Sequence, residues 1–510
     1  MEVGAEGFAQ CLPRLRRRIL RAAFVALDVE FTGLHSTSLQ NNEPSLFDSP
    51  AERYVKARQS VQRFTLVQLG KCGSDTESDL PPYVVHSYNF FLFPSTLGIK
   101  DVEFTLSASS IQFLSHYGFD YNKFLKDGIP YMNEVQEKIL RQHLLAGTWK
   151  VCSNADRDVL KKAIDEVTTW IAAAKEEDTM ILQDLSGYHV IEVQLVLRQA
   201  LENVWTEPLG DKKVMVKKVS PEHRQLLENS SYDHCQKKLI LLSARGFTNL
   251  FQILVKVKKP LVGHNMLMDL MHLHDKFYRP LPESYEEFKR NIHNLFPVII
   301  DTKTVTKSVQ KKCLFPRVSS LVEAYAVLCS SNLNPKGPPC PVIALASGCS
   351  RYAEKKFPHE AGYDAFLCGS VLLMSAHLLL CRSTDAAVEA EPSFSQYLAV
   401  LAEHVNKVNF IRGGVSSINF SGEDSPCRHP PALVVHVRGW PGLTEGQIYQ
   451  EFKARCRFDV RRLSKNQFIL LSNKYKQVRH VLRDYRHHPH LQVSVYRHWR
   501  HSPSVNCLLQ

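Results

Sequence analysis

Residues 24–34 read FVALDVEFTGL, a mostly apolar run with two acids placed two apart. Side chains alternate across a strand, so Val25, Leu27, Val29 and Phe31 share one face while Asp28 and Glu30 point together from the other. The basic and apolar run before it, CLPRLRRRILRAAFVAL, has only about six apolar residues ahead of Asp28 and predicts a helix leading into this strand, not a targeting signal. Strand-like runs follow at RFTLVQLG (63–70) and YVVHSYNFFLFP (83–94), with a polar loop and a helix over PAERYVKARQSV before the first of these. Strands followed by helices suit a mixed α/β sheet.

From 151 the chain turns helix-rich and charged. Residues 151–245 predict a small helix-rich insert in which KKVMVKKV is the strand. The α/β pattern resumes at 246, with a short strand at PLVGH and a buried helix over FLCGSVLLMSAHLLLC. The segments RSTDAAVEAEPS and SGEDSPCRHPP read as linkers. Residues 431–500 then alternate strand, helix, strand, strand, helix, strand, a ferredoxin-like order. The expected segments are 1–150, the insert 151–245, 246–385, a linker with a helix at 386–430, and the end module 431–500.

Composition adds three constraints. A length of 510 residues with 44% apolar content allows two to four globular domains. The formal net charge of +12 favours an acidic partner such as nucleic acid. Thirteen cysteines with no CxxC pair read as reduced thiols, not as a disulfide framework or zinc site. No run of about 18 uninterrupted apolar residues is present.

Two carboxylates aimed together are costly to bury unless one is protonated or cations lie between them. Two more acids lie downstream: Asp269, just after VGHN on the first turns of a helix, and Asp364 in FPHEAGYDAF, five residues after His359. Singly, each has an ordinary reading: Asp28 and Glu30 as a solvated strand edge, Asp269 as a helix-surface acid, Phe31 or Ile111 as core. Together, four carboxylates from three separated segments with a His at that offset match the DEDDh pattern of 3′-to-5′ exonucleases. Hydrolysis of a phosphodiester suits such a set, because hard cations want oxygen ligands and an imidazole accepts a proton near neutral pH. His264, Asp269, His272 and His274 crowd one segment, but no HExxH accompanies them and a zinc reading is set aside.

The motifs LDVEFTGL, ERYVKARQS, ASSIQFLSHYGFDYNKFLKDGIPYMNE, LVGHNMLMDLMHLH, PLPESYEEFK, LFPVIIDTK and HEAGYDAFLCG occur in order. On these the chain resembles the poly(A)-specific ribonuclease family along nearly its whole length. Within it, the chain is most similar to the shorter branch, which trims the 3′ ends of piRNA precursors. The resemblance implies an RNase H-like DEDD exonuclease domain with a mixed sheet, the small inserted domain, and a C-terminal domain related to RNA-recognition motifs. It implies Asp28, Glu30, Asp269 and Asp364 as ligands of two Mg²⁺ ions, with Mn²⁺ as a substitute, and His359 as the general base. Lys303 would meet a phosphate; Phe31, Leu34, Ile111 and Phe113 would hold the last nucleotides by stacking and packing.

The substrate implied is single-stranded RNA with a free 3′-hydroxyl, released as 5′-mononucleotides. Poly(A) deadenylation is the alternative within the same chemistry, and a catalytically silent RNA-binding scaffold is the alternative outside it. No Arg-x-x-x-His signature, for which the family's insert is named, occurs within 151–245. The region FDVRRLSKNQF has Arg461 and Arg462 where a cap-stacking Trp would stand, so cap binding there is not expected. The tail YRHHPHLQVSVYRHWRH reads either as a basic RNA-facing surface or as a solvated helix and strand. The resemblance further implies a homodimer, an Argonaute/PIWI-type protein presenting the RNA, a Tudor-type scaffold, and a cytoplasmic setting, at the endoplasmic reticulum or outer mitochondrial membrane if a longer form carries a C-terminal anchor. A C-terminal membrane anchor is expected of that branch and is not found in the 510 residues.

Overall fold

The computed structural model describes residues 1–35, 44–75, 83–95, 102–149, 154–185, 189–210, 212–312, 316–330, 340–383, 392–426, 431–439, 442–455, 457–472, 474–502 and 504–505. They form two compact units: Met1–Leu34 with Ser60–Asn406, and His35–Gln59 with Lys407–Gln510. The expected boundaries at 150/151 and 385/386, and most of the linker at 382–393, lie outside the described residues.

In the first unit the chain runs through β1 (Glu2–Val3), the helix Ala5–Arg21, β2 (Ala22–Phe31), β3 (Leu66–Asp75), β4 (Tyr83–Pro94) and β5 (Ile129–Tyr131). The insert contributes β6 (Thr179–Leu182), β7 (Val204–Gly210) and β8 (Lys213–Lys218); β9 (Leu261–Gly263), β10 (Ile299–Asp301) and β11 (Ile343–Leu345) complete the unit. The main sheet has the order β1-β4-β3-β2-β9-β10, with β5 and β11 also paired to β4. It is mixed: β3 is antiparallel to β2 and β4, while β9 is parallel to β2 and to β10.

β2, formed by the opening run, therefore sits inside the sheet and is covered on both faces. Leu27 and Val29 are buried on one; Phe24 and Ala26, on the face of the two acids, pack with the helix Ala361–Ser383. Among the described residues this helix alone is long and apolar enough to cross a membrane, and it is instead largely buried in the core, as expected of FLCGSVLLMSAHLLLC. A register shift between Glu30 and Phe31 ends the regular alternation there.

The insert departs from expectation. It has the helices, but instead of one strand it carries a three-stranded antiparallel sheet in the order β6-β8-β7. Its core joins Leu160, Val167, Val193, Leu197, Val214 and Val216. The two missed strands are short and interrupted by charge and proline, in EEDTMIL and VWTEPLG, so alternation cannot be read from them alone.

The second unit contains a hairpin, β12 (Lys407–Asn409) and β13 (Ser417–Asn419), and then β14 (Leu433–Val437), the helix Glu445–Lys453, β15 (Asp459–Ser464), β16 (Gln467–Leu471), the helix Tyr475–Asp484 and β17 (Leu491–Val495). The last four strands form an antiparallel sheet in the order β15-β16-β14-β17, with both helices on the face of Leu433, Val435, Phe468 and Leu470. Residues His35–Gln59, expected from sequence to belong with the N-terminal segment 1–150, group with this unit instead. The physical reason is the buried Arg53 guanidinium, paired inside the segment and satisfied by carbonyls of the C-terminal unit. Arg53 donates to Asp48 at 3.0 Å and its other nitrogens donate to the Ile411 and Arg412 carbonyls, both at 2.7 Å. Losing either partner would strand a buried charge.

Candidate active site

Asp28 and Glu30 of β2 lie opposite Gly70 and Gln68 of β3. Paired residues of adjacent strands point to the same side, so all four face the beginning of the helix Ala361–Ser383. The first N–H groups of a helix have no internal partner. Here polar side chains of the sheet supply one: Ala361 N–H donates to the Gln68 Oε1 at 2.9 Å, and Gly362 N–H donates to the Asn89 Oδ1. Ser87 Oγ donates to the Gly362 carbonyl. These contacts press the helix start onto the sheet and deliver Asp364, in its first turn, to the face of Asp28 and Glu30.

Gly70 makes the approach sterically feasible, since a Cβ there would stand 1.8 Å from the Ala361 oxygen. Gly70→Ala is expected to lower stability by about 3 kcal/mol and to cost activity even well below its unfolding temperature. Thermal unfolding and an RNA-shortening assay on the same sample check this; wild-type values for both would contradict the packing.

Asp269 arrives from the other side of β2, on the helix Leu267–Leu273 that follows β9. Its carboxylate accepts a hydrogen bond from the backbone N–H of Val29, between the two β2 acids. The start of that helix is held by Asp301, fully buried at the end of β10, which accepts from Asn265 N at 2.8 Å and Lys303 N at 2.9 Å.

Four carboxylates thus converge from three segments, and their acidities show the crowding. Burial raises the pKa of Asp28 well above the ordinary value, and Asp364, Glu30 and Asp269 add to it; Glu30 is raised by burial, then by Asp364 and Asp269. Asp269 is pushed up to about 7, by burial first and Asp301 next. Asp364 also reaches about 7, by burial, although the His359 N–H donating to it at 3.0 Å pulls the other way. The dipole at the start of a helix favours the Asp364 anion by at most ~2 kcal/mol. That is too little to offset burial, which still leaves the group at about 7.

His359 sits in the turn before the helix at φ 64°, a left-handed conformation uncommon for a non-glycine residue. Its Nδ1 is 3.9 Å from the Glu30 carboxylate. Glu30, His359 and Asp364 offer donor atoms all within 4.8 Å of one another. Burial lowers the pKa of His359, which keeps the imidazole neutral at pH 7. Two rings flank it: Phe113 at 4.5 Å and Tyr117 at 4.4 Å between centroids, with Phe113 and Tyr117 themselves 5.0 Å apart.

The other expected residues scatter more widely. Phe113 and Leu34 are exposed, as suits a substrate contact. Ile111 is half-buried on the helix of Phe113, but two residues along a helix is about 200° of rotation, so the two do not share a face. Phe31 lies on the His272 ring at 4.3 Å. The Lys303 ammonium donates to the Ser319 carbonyl at 2.6 Å, outside the carboxylate cluster. The histidines set aside as zinc ligands have separate partners: His264 Nδ1 lies 2.9 Å from Thr302 Oγ1, His272 Nδ1 lies 2.9 Å from the Met268 carbonyl, and His274 Nδ1 lies 2.9 Å from that of Arg279. Burial lowers the pKa of all three, to about 3 for His264 and His272 and about 4 for His274.

Sequence reasoning missed Gln68, Asn89, Tyr117 and Asp301. Gln68 and Asn89 had a signal, a lone amide inside an apolar strand. Tyr117 and Asp301 had none.

A model of the CAF1 family ribonucleases matches residues 3–372. The chain belongs to the CAF1 family of ribonucleases. It has the family's α/β, RNase H-like exonuclease fold and its DEDDh 3′-to-5′ exoribonuclease activity. It is 58% identical to the mouse (Mus musculus) poly(A)-specific ribonuclease PNLDC1 over all of this chain and 96% of that one. It is 27% identical to the silkworm (Bombyx mori) pre-piRNA 3′-exonuclease trimmer over 98% of this chain and 94% of that one. Among solved structures, the Mg²⁺- and Mn²⁺-bound form of S. pombe Pop2p covers 73% of this chain and 90% of its own at 14% identity. Its TM-score of 0.36 is too low to carry an inference.

Proposed function

We propose that Asp28, Glu30, Asp269 and Asp364 hold two Mg²⁺ ions, that His359 is the general base, and that the substrate is the 3′ end of single-stranded RNA, foremost of piRNA precursors. The observation that carries this is the set of donor atoms of Glu30, His359 and Asp364 within 4.8 Å of one another, with Asp28 and Asp269 near enough to raise the acid pKa values of the cluster. Four raised pKa values mark a cluster that resists being fully anionic by itself, and an all-oxygen set of hard donors fits Mg²⁺, with Mn²⁺ as a substitute. When bound, such ions neutralise charge on the attacked phosphate and its leaving oxygen.

The chain's own residues then do the rest. His359 Nδ1 or Nε2 accepts the proton of the attacking water. Phe113 and Tyr117 brace the imidazole from one side, and Phe31, Leu34, Phe113 and, from another face of its helix, Ile111 pack the terminal nucleotides without reading their bases. Lys303 leaves the Ser319 carbonyl to meet a phosphate. The names of the mouse and silkworm relatives, a ribonuclease and a pre-piRNA 3′-exonuclease, support a 3′-end substrate; poly(A) is the second reading, favoured by the mouse name.

The strand order of the C-terminal sheet supports a ferredoxin-like, RNA-recognition-motif-like plan for residues 431–500, and the segments 1–150 (without His35–Gln59, which group with the C-terminal unit), 151–245, 246–385 and 386–430 complete the proposed organisation. On family resemblance we also propose a cytoplasmic homodimer supplied with RNA by an Argonaute-type protein on a Tudor-type scaffold.

The test uses 5′-labelled RNA of mixed sequence and of oligo(A), with Mg²⁺ and then with excess EDTA. A ladder shortening from the 3′ end on both RNAs, stopped by EDTA, is expected. Internal cleavage would sink the activity; shortening of oligo(A) alone would move the substrate to poly(A).

A further inference from the structure

The chain's positive charge is not spread evenly. Residues 431–510 hold fourteen Lys and Arg against four Asp and Glu, a surplus of ten out of the total +12. The rest of the chain is close to neutral.

Within that module the two faces of the sheet differ. The face away from the helices presents Val434, His436, Gln467, Ile469 and Leu471 on its two central strands, with no Phe, Tyr or Trp and the half-buried His436 imidazole as its one ring there. Part of it is covered by the unit's own chain, while His436, Gln467 and Ile469 stay half-buried. Val434 is 2% exposed and Leu471 6%. Asp459, at the start of β15, accepts from Ser45 Oγ and Leu46 N and pairs with Arg412; the Arg461 guanidinium lies over the Phe47 ring at 4.7 Å.

The helix Tyr475–Asp484 is the open basic element. Val478 and Val481 turn inward to the core. Lys476, Arg479, His480 and Arg483 fall at i, i+3, i+4 and i+7, one stripe on the side away from those valines, and all are exposed. Arg486 extends the basic run past the helix end, and the nearest acid, Asp484, is shared by Arg483 and Arg455. The exposed rings of Tyr475 and Trp499 in the same module offer faces for base stacking.

We propose that this helical face binds the phosphate backbone of single-stranded RNA without regard to sequence, a role for which the sheet face, partly covered and without a Phe, Tyr or Trp on its two central strands, is less suited. The proposal rests on RNA being the substrate class. Charge complementarity selects it: a stripe of three fixed cations and a His, in surplus over its one neighbouring acid, matches a regularly spaced polyanion.

The experiment compares the full chain with Lys476→Glu/Arg479→Glu/Arg483→Glu, and with the milder triple change to Gln. Binding of a 5′-fluorescent RNA of about 30 nucleotides is followed against salt in EDTA, where no trimming occurs, and 3′ shortening of an RNA of about six nucleotides is followed in Mg²⁺. The Glu variant is expected to bind the long RNA about tenfold or more weaker near 0.1 M salt, with a log–log salt slope shallower by about 2. The Gln variant should fall between, unfolding temperatures should match, and Lys161→Glu/Lys162→Glu in the insert should change nothing.

Unchanged affinity and slope in the Glu variant would overturn the proposal. So would loss of binding to vesicles containing about one-third phosphatidylserine while RNA binding is kept. Short-RNA shortening reports separately on the substrate reading: its absence in the unaltered chain would sink that activity, whatever the patch does.

Discussion

Glu30→Gln is expected to slow 3′-end shortening by about 10³-fold or more and yet to leave the metal-free protein at least as stable as the parent. The two effects have one cause. Glu30 lies among Asp28, Asp364 and Asp269, all disfavoured as anions. Gln keeps the volume and removes the charge, so repulsion in the empty cluster falls while one oxygen donor to the cations is lost. A time course on 5′-labelled RNA and thermal unfolding in EDTA measure the two halves. Activity within tenfold of the parent would remove Glu30 from the reaction; a large drop in unfolding temperature would mean its role is in folding.

The second large effect is a dependence of stability on pH that Mg²⁺ reverses. Asp269 and Asp364 hold their protons to about pH 7 in the folded chain, against about 4 when unfolded. Between those values the folded state binds protons that the unfolded state has lost. Their contribution to stability is therefore full below about pH 4, falls as pH rises towards 7, and is flat above. Cations that bind the deprotonated cluster stabilise only the folded chain. Saturating Mg²⁺ should raise the unfolding temperature by about 5–10 °C at pH 8 and by much less at pH 5.5, where protons compete. Equal Mg²⁺ shifts at the two pH values would contradict a carboxylate site.

What the sequence by itself determined is what depends on neighbours within a few residues. Alternation in FVALDVEF placed Asp28 and Glu30 on one side of a strand, apolar continuity made Ala361–Ser383 a core helix, and strand and helix periods gave the order of the C-terminal elements. Only the tertiary structure decided which surfaces meet. The sheet amides under Ala361 and Gly362, the capping of the Asp269 helix by Asp301, and the rings of Phe113 and Tyr117 about His359 join segments tens to hundreds of residues apart. Local periodicity can mark a residue as out of place, as it does the lone amides Gln68 and Asn89, but it carries no information about which distant group each will meet. The same holds for His35–Gln59, whose buried Arg53 is satisfied by carbonyls more than 350 positions away and so joins the C-terminal unit.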